Sequence, residues 1–279
     1  MFTLPDHHVV TLRGRDALAF AQAQFMSDVA ALDDGHWQWS GWLTPKGRVI
    51  ALFALLKTDG ETVRLVLQDV DPAEFAAQLQ RFVFRSKLVI EPGGGLQVGG
   101  GFDAHPAATA AQASPFGDDG FALDFGGDGG PRTLFIDATL DASEDAAACA
   151  RWAAFDLAHG LPRLPGSQTG QWTPQQLSLE RLRAYSVKKG CYPGQEIVAR
   201  THFLGQAKRG LVLFECDGPL EAGQQVVEAD RVLGTIASTA GDDGRHLALA
   251  VLPLDAAANA ASVDGRGLRP KPLLDGLAR

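Results

Sequence analysis

The chain has 279 residues, of which 46% are apolar and 21% charged, and it carries a net charge of −8 at pH 7. This composition excludes global disorder, and the length exceeds what one hydrophobic core usually serves, so two or three domains are expected. The acidic balance removes the broad attraction to phosphate backbones on which non-specific nucleic-acid binding depends, and it therefore argues against direct binding of nucleic acid.

The N-terminal segment and the cysteines bear on location and on metal sites. Residues 1–6 lack the basic start and apolar stretch of a signal peptide, and no apolar run reaches the ~20 residues that a membrane span needs. A cytoplasmic protein without membrane contact is therefore expected. Cys149, Cys191 and Cys216 are too few and too scattered for a disulfide framework, and they form no Cys-x-x-Cys pair. We expect free thiols and no metal site made within the chain.

The first third of the chain predicts a helix followed by a β-meander. Residues 15–32 place apolar side chains at three- and four-residue spacing, which is typical of an amphipathic helix. Strands are predicted over 36–43 and 48–57, joined by a Pro-Lys-Gly turn at 44–47. A third strand is predicted over 62–68.

The next elements begin with a capped helix. Asp71 and Pro72 are typical of an N-cap and a first helical position, and the pattern predicts a helix to about residue 84. A strand over 87–90 and the glycine run 93–95 close this half. A similar but looser order follows, which indicates a diverged repeat. Its predicted elements are strand 96–99, helix 104–113, strands 121–125 and 133–137, and helix 141–158.

The last quarter of the chain changes in texture from residue 208 onward. Short apolar runs are separated by turn residues, a spacing that predicts a small β-barrel or sandwich. These runs cover 211–216, 225–228, 232–238 and 246–252.

A loop at the junction of these regions carries the most specific chemistry. Cys191 follows Lys188 and Lys189, cations that would lower the pKa of the thiol if the loop turns them towards the sulfur. Gly190 and Gly194 permit unusual backbone turns, so the loop could hold the thiol at the wall of a cleft. The alternative interpretation from these residues alone is a tight turn around a buried, inert cysteine.

The run Lys-Gly-Cys-Tyr-Pro-Gly-Gln-Glu over 189–196 resembles the Lys-Gly-Cys-Tyr-x-Gly-Gln-Glu signature of the YgfZ folate-binding family. This family is related to the glycine-cleavage aminomethyltransferases and to iron-sulfur cluster assembly factors. The resemblance extends over most of the chain, through the runs 14–17, 23–29, 45–48, 172–177 and 205–209.

The resemblance implies an α+β fold in which two related aminomethyltransferase-like units and a C-terminal β-barrel surround a central folate channel. The implied units are a first α+β folate-binding unit over 1–92, a second α+β unit over 93–205 that carries the 189–196 loop, and a C-terminal β-barrel over 206–279. Cys191 would act as a nucleophile or as a transient ligand of an iron-sulfur cluster. The supporting loop residues would be Lys189, Gly190, Tyr192, Gly194, Gln195 and Glu196.

The implied cofactor is tetrahydrofolate or a derivative, which needs stacking surface, hydrogen-bond partners and cations. Trp152 is similar in position to a folate-contacting tryptophan of the family, although it also fits the apolar face of helix 141–158. Lys46 and Arg200 are candidate partners of the folate carboxylates, or else solvated surface residues. Gln175 is a further cofactor-binding candidate. His7 stands where the family places a second folate-contacting aromatic residue, and so departs from the pattern.

Three functions remain open from the sequence. The first is a folate-binding accessory protein that works with iron-sulfur assembly proteins and client enzymes, including enzymes that modify tRNA. The second is a folate-dependent aminomethyl or one-carbon transferase, against which stand Ala51 and Leu52, where the aminomethyltransferases carry paired aspartates for proton handling. The third is an interaction module in which the Cys191 loop is structural. Whether the protein is an enzyme is thus undecided at this stage.

Overall fold

The computed structural model describes residues 1–205, 207–229, 231–256 and 258–279. Two five-stranded antiparallel sheets precede a closed six-stranded barrel, and helices lie between the strands along the chain. This confirms the predicted α+β class with a C-terminal β-barrel. Gln206, part of one resemblance run and the first residue of the predicted barrel unit, lies outside the described residues. None of the helices in the described part of the chain is both long and apolar enough to span a bilayer.

The first sheet contains the predicted meander, and the predicted strands 36–43 and 62–68 are confirmed residue for residue. The elements up to residue 92 are β1 (Phe2–Thr3), β2 (His7–Arg13), α1 (Ala17–Gln24), β3 (His36–Leu43), β4 (Val49–Asp59), β5 (Thr62–Gln68), α2 (Pro72–Gln80) and β6 (Val89–Pro92). The strands of the first sheet run in the order β3-β4-β5-β2-β6.

The two helices of the first unit show where local signals decide and where they do not. Helix α2 begins as predicted, because the Asp71 carboxylate accepts a hydrogen bond from the Glu74 N–H at 2.7 Å. Helix α1 ends at Gln24, so the predicted helix 15–32 is too long. Its C-terminal flank, Phe25, is extended at ψ 156°. The carbonyl groups that a longer helix would use are turned towards a lysine from elsewhere in the chain, described below.

The second sheet is formed by the next strands of the chain together with β1 from its N-terminal segment. The elements after residue 92 are β7 (Gln97–Gly101), β8 (Ser114–Phe116), β9 (Gly120–Asp124), β10 (Thr133–Asp137), α3 (Ala146–Ala158), two short 3-10 helices (Gly166–Gln168 and Leu179–Leu182) and α4 (Gln195–Leu204). The strands of this sheet run in the order β1-β7-β10-β9-β8, and the predicted strand 133–137 is confirmed. Helix α3 is capped by the Asp145 side chain and is shorter than the predicted 141–158.

The helix predicted over 104–113 is wrong, because this segment bonds to the first sheet instead of to itself. The Trp37 backbone N–H donates to the Ala111 carbonyl at 2.8 Å, and its indole N–H donates to the Ala110 carbonyl at 3.1 Å. Ala110 itself adopts a left-handed conformation at φ 49°. The alanine-rich composition favoured a helix, but these contacts between the two units determine the observed structure.

The C-terminal region forms a closed barrel, which decides between the barrel and the sandwich. The strands are β11 (Arg209–Cys216), β12 (Gln225–Glu228), β13 (Arg231–Asp242), β14 (Arg245–Pro253), β15 (Ser262–Val263) and β16 (Arg266–Lys271). They follow the order β11-β14-β13-β12-β15-β16 around the barrel. Among the described strands of this unit, closure leaves no free edge.

A shared aromatic core joins the two sheets and the barrel. The rings of Trp37 and Phe125 stack at 4.8 Å between centroids, and Phe125 stacks in turn on Trp152 at 6.0 Å. The Trp39 indole N–H donates to the Leu277 carbonyl at 2.7 Å, which ties the C-terminal segment to the same core. Fully burying a Phe side chain stabilises the folded state by roughly 1.5–3 kcal/mol relative to leaving it in water.

Candidate functional site

The Cys191 loop places its thiol at the surface. Cys191 is exposed, whereas its neighbour Tyr192 is buried and donates its hydroxyl to the Ser186 carbonyl at 3.1 Å. Gly194 is the N-cap of α4 and adopts φ 77°, a left-handed conformation that favours glycine. The Gln195 side chain donates to the Lys189 carbonyl at 3.0 Å. The thiol therefore stands on a turn whose shape is fixed by its neighbours, and the buried, inert alternative does not apply.

Lys189 anchors this loop to the end of α1. Its ammonium group donates to the carbonyls of Gln22, Phe25 and Ser27 at 2.6, 2.5 and 2.8 Å. Burial lowers the pKa of Lys189 to about 8, and nearby Asp28 opposes that shift. All three ammonium protons are thus used by backbone oxygens. The condition stated from the sequence, that the loop turns Lys189 towards the sulfur, is not met, because the carbonyl end of α1 and the following turn hold the ammonium group instead.

The Pro-Lys-Gly turn of the first sheet packs directly on the same loop. A Cβ atom added to Gly194 would lie 2.6 Å from both the Cα of Gly47 and the carbonyl oxygen of Thr44. A Cβ atom added to Gly47 would lie 2.9 Å from the Cβ of Ile197 on α4. Three segments that carry the family resemblance, 23–29, 45–48 and 189–196, therefore meet in space. This convergence was not deducible from their positions in the sequence.

The surroundings of Cys191 limit what the thiol can do alone. Glu196 is exposed in the first turn of α4, and Gly190 is also exposed. Across the described residues no group of three or more His, Cys, Asp or Glu side chains has the arrangement of a metal site. The geometry therefore offers the exposed sulfur of Cys191 for nucleophilic attack or for a single bond to a metal.

The folate-contact candidates lie in different environments. Lys46 and Arg200 are exposed, whereas Trp152 has no exposed surface. Trp152 packs between Phe2, Phe125 and the guanidinium of Arg132, which lies 4.0 Å from its ring centroid. A side chain with no accessible surface presents nothing to a ligand in this conformation. As a folate contact, Trp152 stays a prediction that requires the core around it to open.

His7 is buried beside Trp152, with 6.3 Å between ring centroids. Within the described structure neither of its ring nitrogens has a hydrogen-bond partner. Burial first, and then the positive charges of Arg163 and Arg132, hold the pKa of His7 well below its usual value. The imidazole is therefore neutral at pH 7, and His7 belongs to the core and not to the surface.

Gln175 lies at a small cationic cavity beside α4. It is 5% exposed, and its amide N–H donates to the Val198 carbonyl at 2.9 Å. Its carbonyl oxygen has no hydrogen-bond partner among the described residues. The cavity, which we call the α4 cavity, has a volume of about 260 Å³. Its lining consists of Arg48, Thr173, Gln175, Gln176, Thr201, Ala207, Lys208 and Arg209.

The sequence pattern missed the grouping of cations in this cavity. Arg48 lies after the first hairpin turn, and Lys208 and Arg209 precede the barrel, so they are far apart along the chain. No carboxylate lines the cavity within the described part of the chain. The three cations belong to two of the runs that carry the family resemblance, 45–48 and 205–209, and this was the available signal. Because the two runs are far apart in the sequence, the sequence did not show that the cations form one site.

A second missed feature is a charged centre between the units. Arg163 forms a bidentate pair with Asp69, at 2.6 and 2.5 Å, and its backbone N–H donates to Ser238 of the barrel. Behind it, Arg132 and Asp156 form a fully buried ion pair at 2.7 Å. Fully buried charges of this kind need partners from several elements, which a local sequence pattern does not reveal.

Ala51 and Leu52, which the resemblance sets against the paired aspartates of the aminomethyltransferases, are apolar residues of the first sheet. Both are buried on β4, at 1% and 4% exposure, and Ala51 pairs with Trp42 across the sheet. Neither side chain can transfer a proton. These two positions of β4 are therefore buried and carry no ionisable group, as the sequence indicated.

The two sheets and the closed barrel define an aminomethyltransferase-like fold. The structure is similar to a crystal structure of the glycine cleavage system aminomethyltransferase T from Bartonella henselae, with a TM-score of 0.68. The likeness covers 98% of this chain and 84% of that one at 15% sequence identity, and it therefore concerns the fold alone.

At the level of sequence the chain is similar to proteins named tRNA-modifying protein YgfZ. The relative from Klebsiella pneumoniae (strain 342) is 29% identical over 238 residues, covering 76% of this chain and 70% of the relative. The relative from Vibrio vulnificus (strain CMCP6) is 28% identical over 283 residues, covering 88% and 82%. These relatives confirm the resemblance to the YgfZ family. No family model matches the sequence.

Proposed function

We propose that the protein is a folate-binding accessory factor that supports the assembly or repair of iron-sulfur clusters in other proteins, including enzymes that modify tRNA. The relatives from Klebsiella pneumoniae and Vibrio vulnificus are named tRNA-modifying proteins. The net charge of −8 favours an indirect link, through client enzymes, over contact with RNA. A cytoplasmic location is proposed with it.

The observation that carries this proposal is the exposed thiol of Cys191 on a firmly anchored loop. Lys189, Tyr192 and Gln195 each hold the loop by hydrogen bonds, whereas the sulfur between them is left accessible. One sulfur is enough to form a transient bond to a cluster or to a client, but not to hold a cluster permanently. An accessory role fits this arrangement better than a resident cluster does.

The residues of the chain fit a folate unevenly. The α4 cavity offers the cations of Arg48, Lys208 and Arg209, which suit an acidic ligand. Trp152, the candidate stacking surface for the pterin, has no exposed surface and is enclosed by side chains. When bound, tetrahydrofolate would supply a carrier for one-carbon units. The protein would contribute binding, orientation and an adjacent thiol.

The aminomethyltransferase alternative is supported by the fold but opposed by β4. Proton handling at a folate nitrogen requires an ionisable group, and Ala51 and Leu52 supply none. We therefore expect folate binding without aminomethyl turnover. Turnover of a methylated amine together with tetrahydrofolate would favour the transferase, and absence of folate binding would favour a simple interaction module.

The test of the thiol is Cys191→Ala in a strain that lacks its own family member. We expect the variant to fold normally and to lose the ability to restore the activity of iron-sulfur enzymes, because the accessible sulfur is gone. The matched control is Cys149→Ala, since the Cys149 thiol is half-buried and donates to the Thr3 carbonyl at 3.2 Å. Full rescue by Cys191→Ala would remove the thiol from the proposal.

A further inference from the structure

The segment between α2 and β6 differs in charge from the protein as a whole. We call residues 81–87 the basic segment. It holds three cations and no acidic residue, whereas the chain has a net charge of −8. The cations are exposed, and within the described structure none is paired with a carboxylate; they are Arg81, Arg85 and Lys87. They are therefore available to an external anion.

Exposed aromatic rings lie between these cations. Phe84 is 85% exposed and Phe82 is 49% exposed, and the guanidinium of Arg85 lies 5.3 Å from the centroid of the Phe84 ring. Neighbouring apolar side chains left in water, unlike scattered single ones, indicate a contact surface. Aromatic residues and arginine are also the types in which protein–protein interfaces are enriched. The basic segment thus combines positive charge with apolar contact area.

The basic segment is held in place by the rest of the first unit. Asp16 accepts a hydrogen bond from the Lys87 backbone N–H at 2.7 Å. The Phe82 backbone N–H donates to the Leu79 carbonyl at 3.0 Å, and its ring packs edge-on against Trp42 at 5.7 Å between centroids. A surface that is already ordered loses little conformational entropy when a partner binds.

A short series of contacts connects the basic segment to the thiol loop. Trp42, against which Phe82 packs, forms an isolated backbone bridge with Phe25. The Phe25 carbonyl accepts a hydrogen bond from the ammonium group of Lys189. A partner on the basic segment therefore binds beside the part of the fold that fixes the position of the Cys191 loop.

The small number of cations favours a protein over other anionic partners. Recognition of an anionic lipid surface usually draws on clusters of about 4–8 Lys or Arg, more than the three of the basic segment. Domains that bind nucleic acid are typically basic, whereas this chain carries −8. Three cations interleaved with two aromatic rings instead match a protein segment in which acidic and apolar side chains alternate.

We infer that the basic segment binds an acidic, partly apolar segment of a partner protein. Arg81, Arg85 and Lys87 attract the carboxylates of this partner. Phe82 and Phe84 contact its apolar side chains. The inference rests on the proposed accessory function, and it adds the surface on which a partner protein is held and the chemistry of that partner.

The experiment uses a fluorescein-labelled peptide of Glu-Glu-Leu repeats as the probe, with fluorescence anisotropy on the full-length protein. We expect the peptide to bind, its affinity to fall as salt is added, and a peptide of Gln-Gln-Leu repeats to bind far more weakly. Arg85→Glu and Phe84→Ser should each weaken binding by about tenfold. Both side chains are exposed, so the thermal unfolding of these variants should match that of the wild-type protein.

The matched controls lie on the barrel, outside the basic segment. Arg231→Glu makes the same change of charge at an exposed arginine, and Leu254→Ser removes an apolar side chain that is 68% exposed. Neither should change the affinity for the peptide. The inference is overturned if the wild-type protein does not bind the peptide, or if Arg231→Glu weakens binding as much as Arg85→Glu does.

Other partners are tested with the same variants. An oligouridylate that binds more tightly than the peptide and requires Arg85 would assign the basic segment to RNA and overturn the inference. Vesicles of phosphatidylserine and phosphatidylcholine that do so would assign it to a membrane, with the same consequence.

Rescue of iron-sulfur enzymes in the strain used for Cys191→Ala separates this inference from the proposed function. Arg85→Glu should restore less activity than the wild-type protein, because the partner is held less tightly. Full rescue by Arg85→Glu together with loss of rescue in Cys191→Ala would overturn the inference and leave the proposed function intact. Full rescue by both variants would overturn both.

Discussion

At the scale of single residues, Lys189 has the clearest structural role in the motif loop. Its ammonium group donates to three backbone carbonyls at the end of α1 and in the following turn. Lys189 therefore fixes the position of the loop that carries the thiol, and it does not place its positive charge beside the sulfur. A neutral, shape-retaining substitution should separate these two roles.

Lys189→Met should destabilise the protein by about 2–4 kcal/mol and loosen the loop, because buried carbonyls lose charged hydrogen-bond donors. Urea denaturation measures the free energy of unfolding, and the rate of Cys191 modification by a thiol reagent measures the order of the loop. Lys188→Met is the control, since Lys188 is exposed and should change stability by less than about 0.5 kcal/mol. Similar stability of the two variants would contradict the anchoring role.

At the scale of elements, the contact between the 44–47 turn and α4 positions the loop from the opposite side. Gly194 combines φ 77° with a separation of 2.6 Å between its added Cβ and the backbone of the turn. A side chain there requires both an unfavourable backbone conformation and a displacement of the hairpin. The two glycines, Gly47 and Gly194, are therefore needed for close approach of backbones.

Gly194→Ala should lower the free energy of unfolding by about 2 kcal/mol or more, the sum expected for left-handed strain and overpacking. Gly190→Ala provides the control within the same loop. Gly190 has no positive φ, and within the described structure no atom lies within 4 Å of its added Cβ. Thermal unfolding of both variants decides the matter, and equal effects would show that the hairpin contact is unimportant.

Prediction from the sequence succeeded for elements with strong local signals. The strands 36–43, 62–68, 133–137 and 225–228 and the Asp71 cap depend on alternation, turns and capping, which act over a few residues. Helix α1 was overextended and the helix over 104–113 was wrong, because Lys189 and Trp37 bond to those segments from distant parts of the chain. The candidate thiol was found through its motif, whereas the α4 cavity required tertiary structure.

At the scale of the whole molecule, a charged centre connects both sheets with the barrel. Arg163 contacts Asp69 of the first unit, Asp156 of α3 and Ser238 of β13. Arg132 lies behind Asp156 and against Trp152, so the centre is continuous with the aromatic core. His7 lies against this core as a neutral ring, close enough to Arg163 and Arg132 for their charges to oppose its protonation.

Protonation of His7 should make stability depend on pH below 6.5. Because its folded pKa is depressed, the unfolded chain binds the proton more readily, and the free energy of unfolding falls as pH drops from 6.5 towards the folded pKa. His7→Phe should flatten this dependence while keeping the core filled. His8→Gln, at the half-buried neighbouring position, should retain it. Urea denaturation between about pH 4.5 and 7, the range around the ordinary pKa of histidine, tests this. The prediction fails if the free energy of unfolding of His7→Phe changes with pH as steeply as that of the wild-type protein.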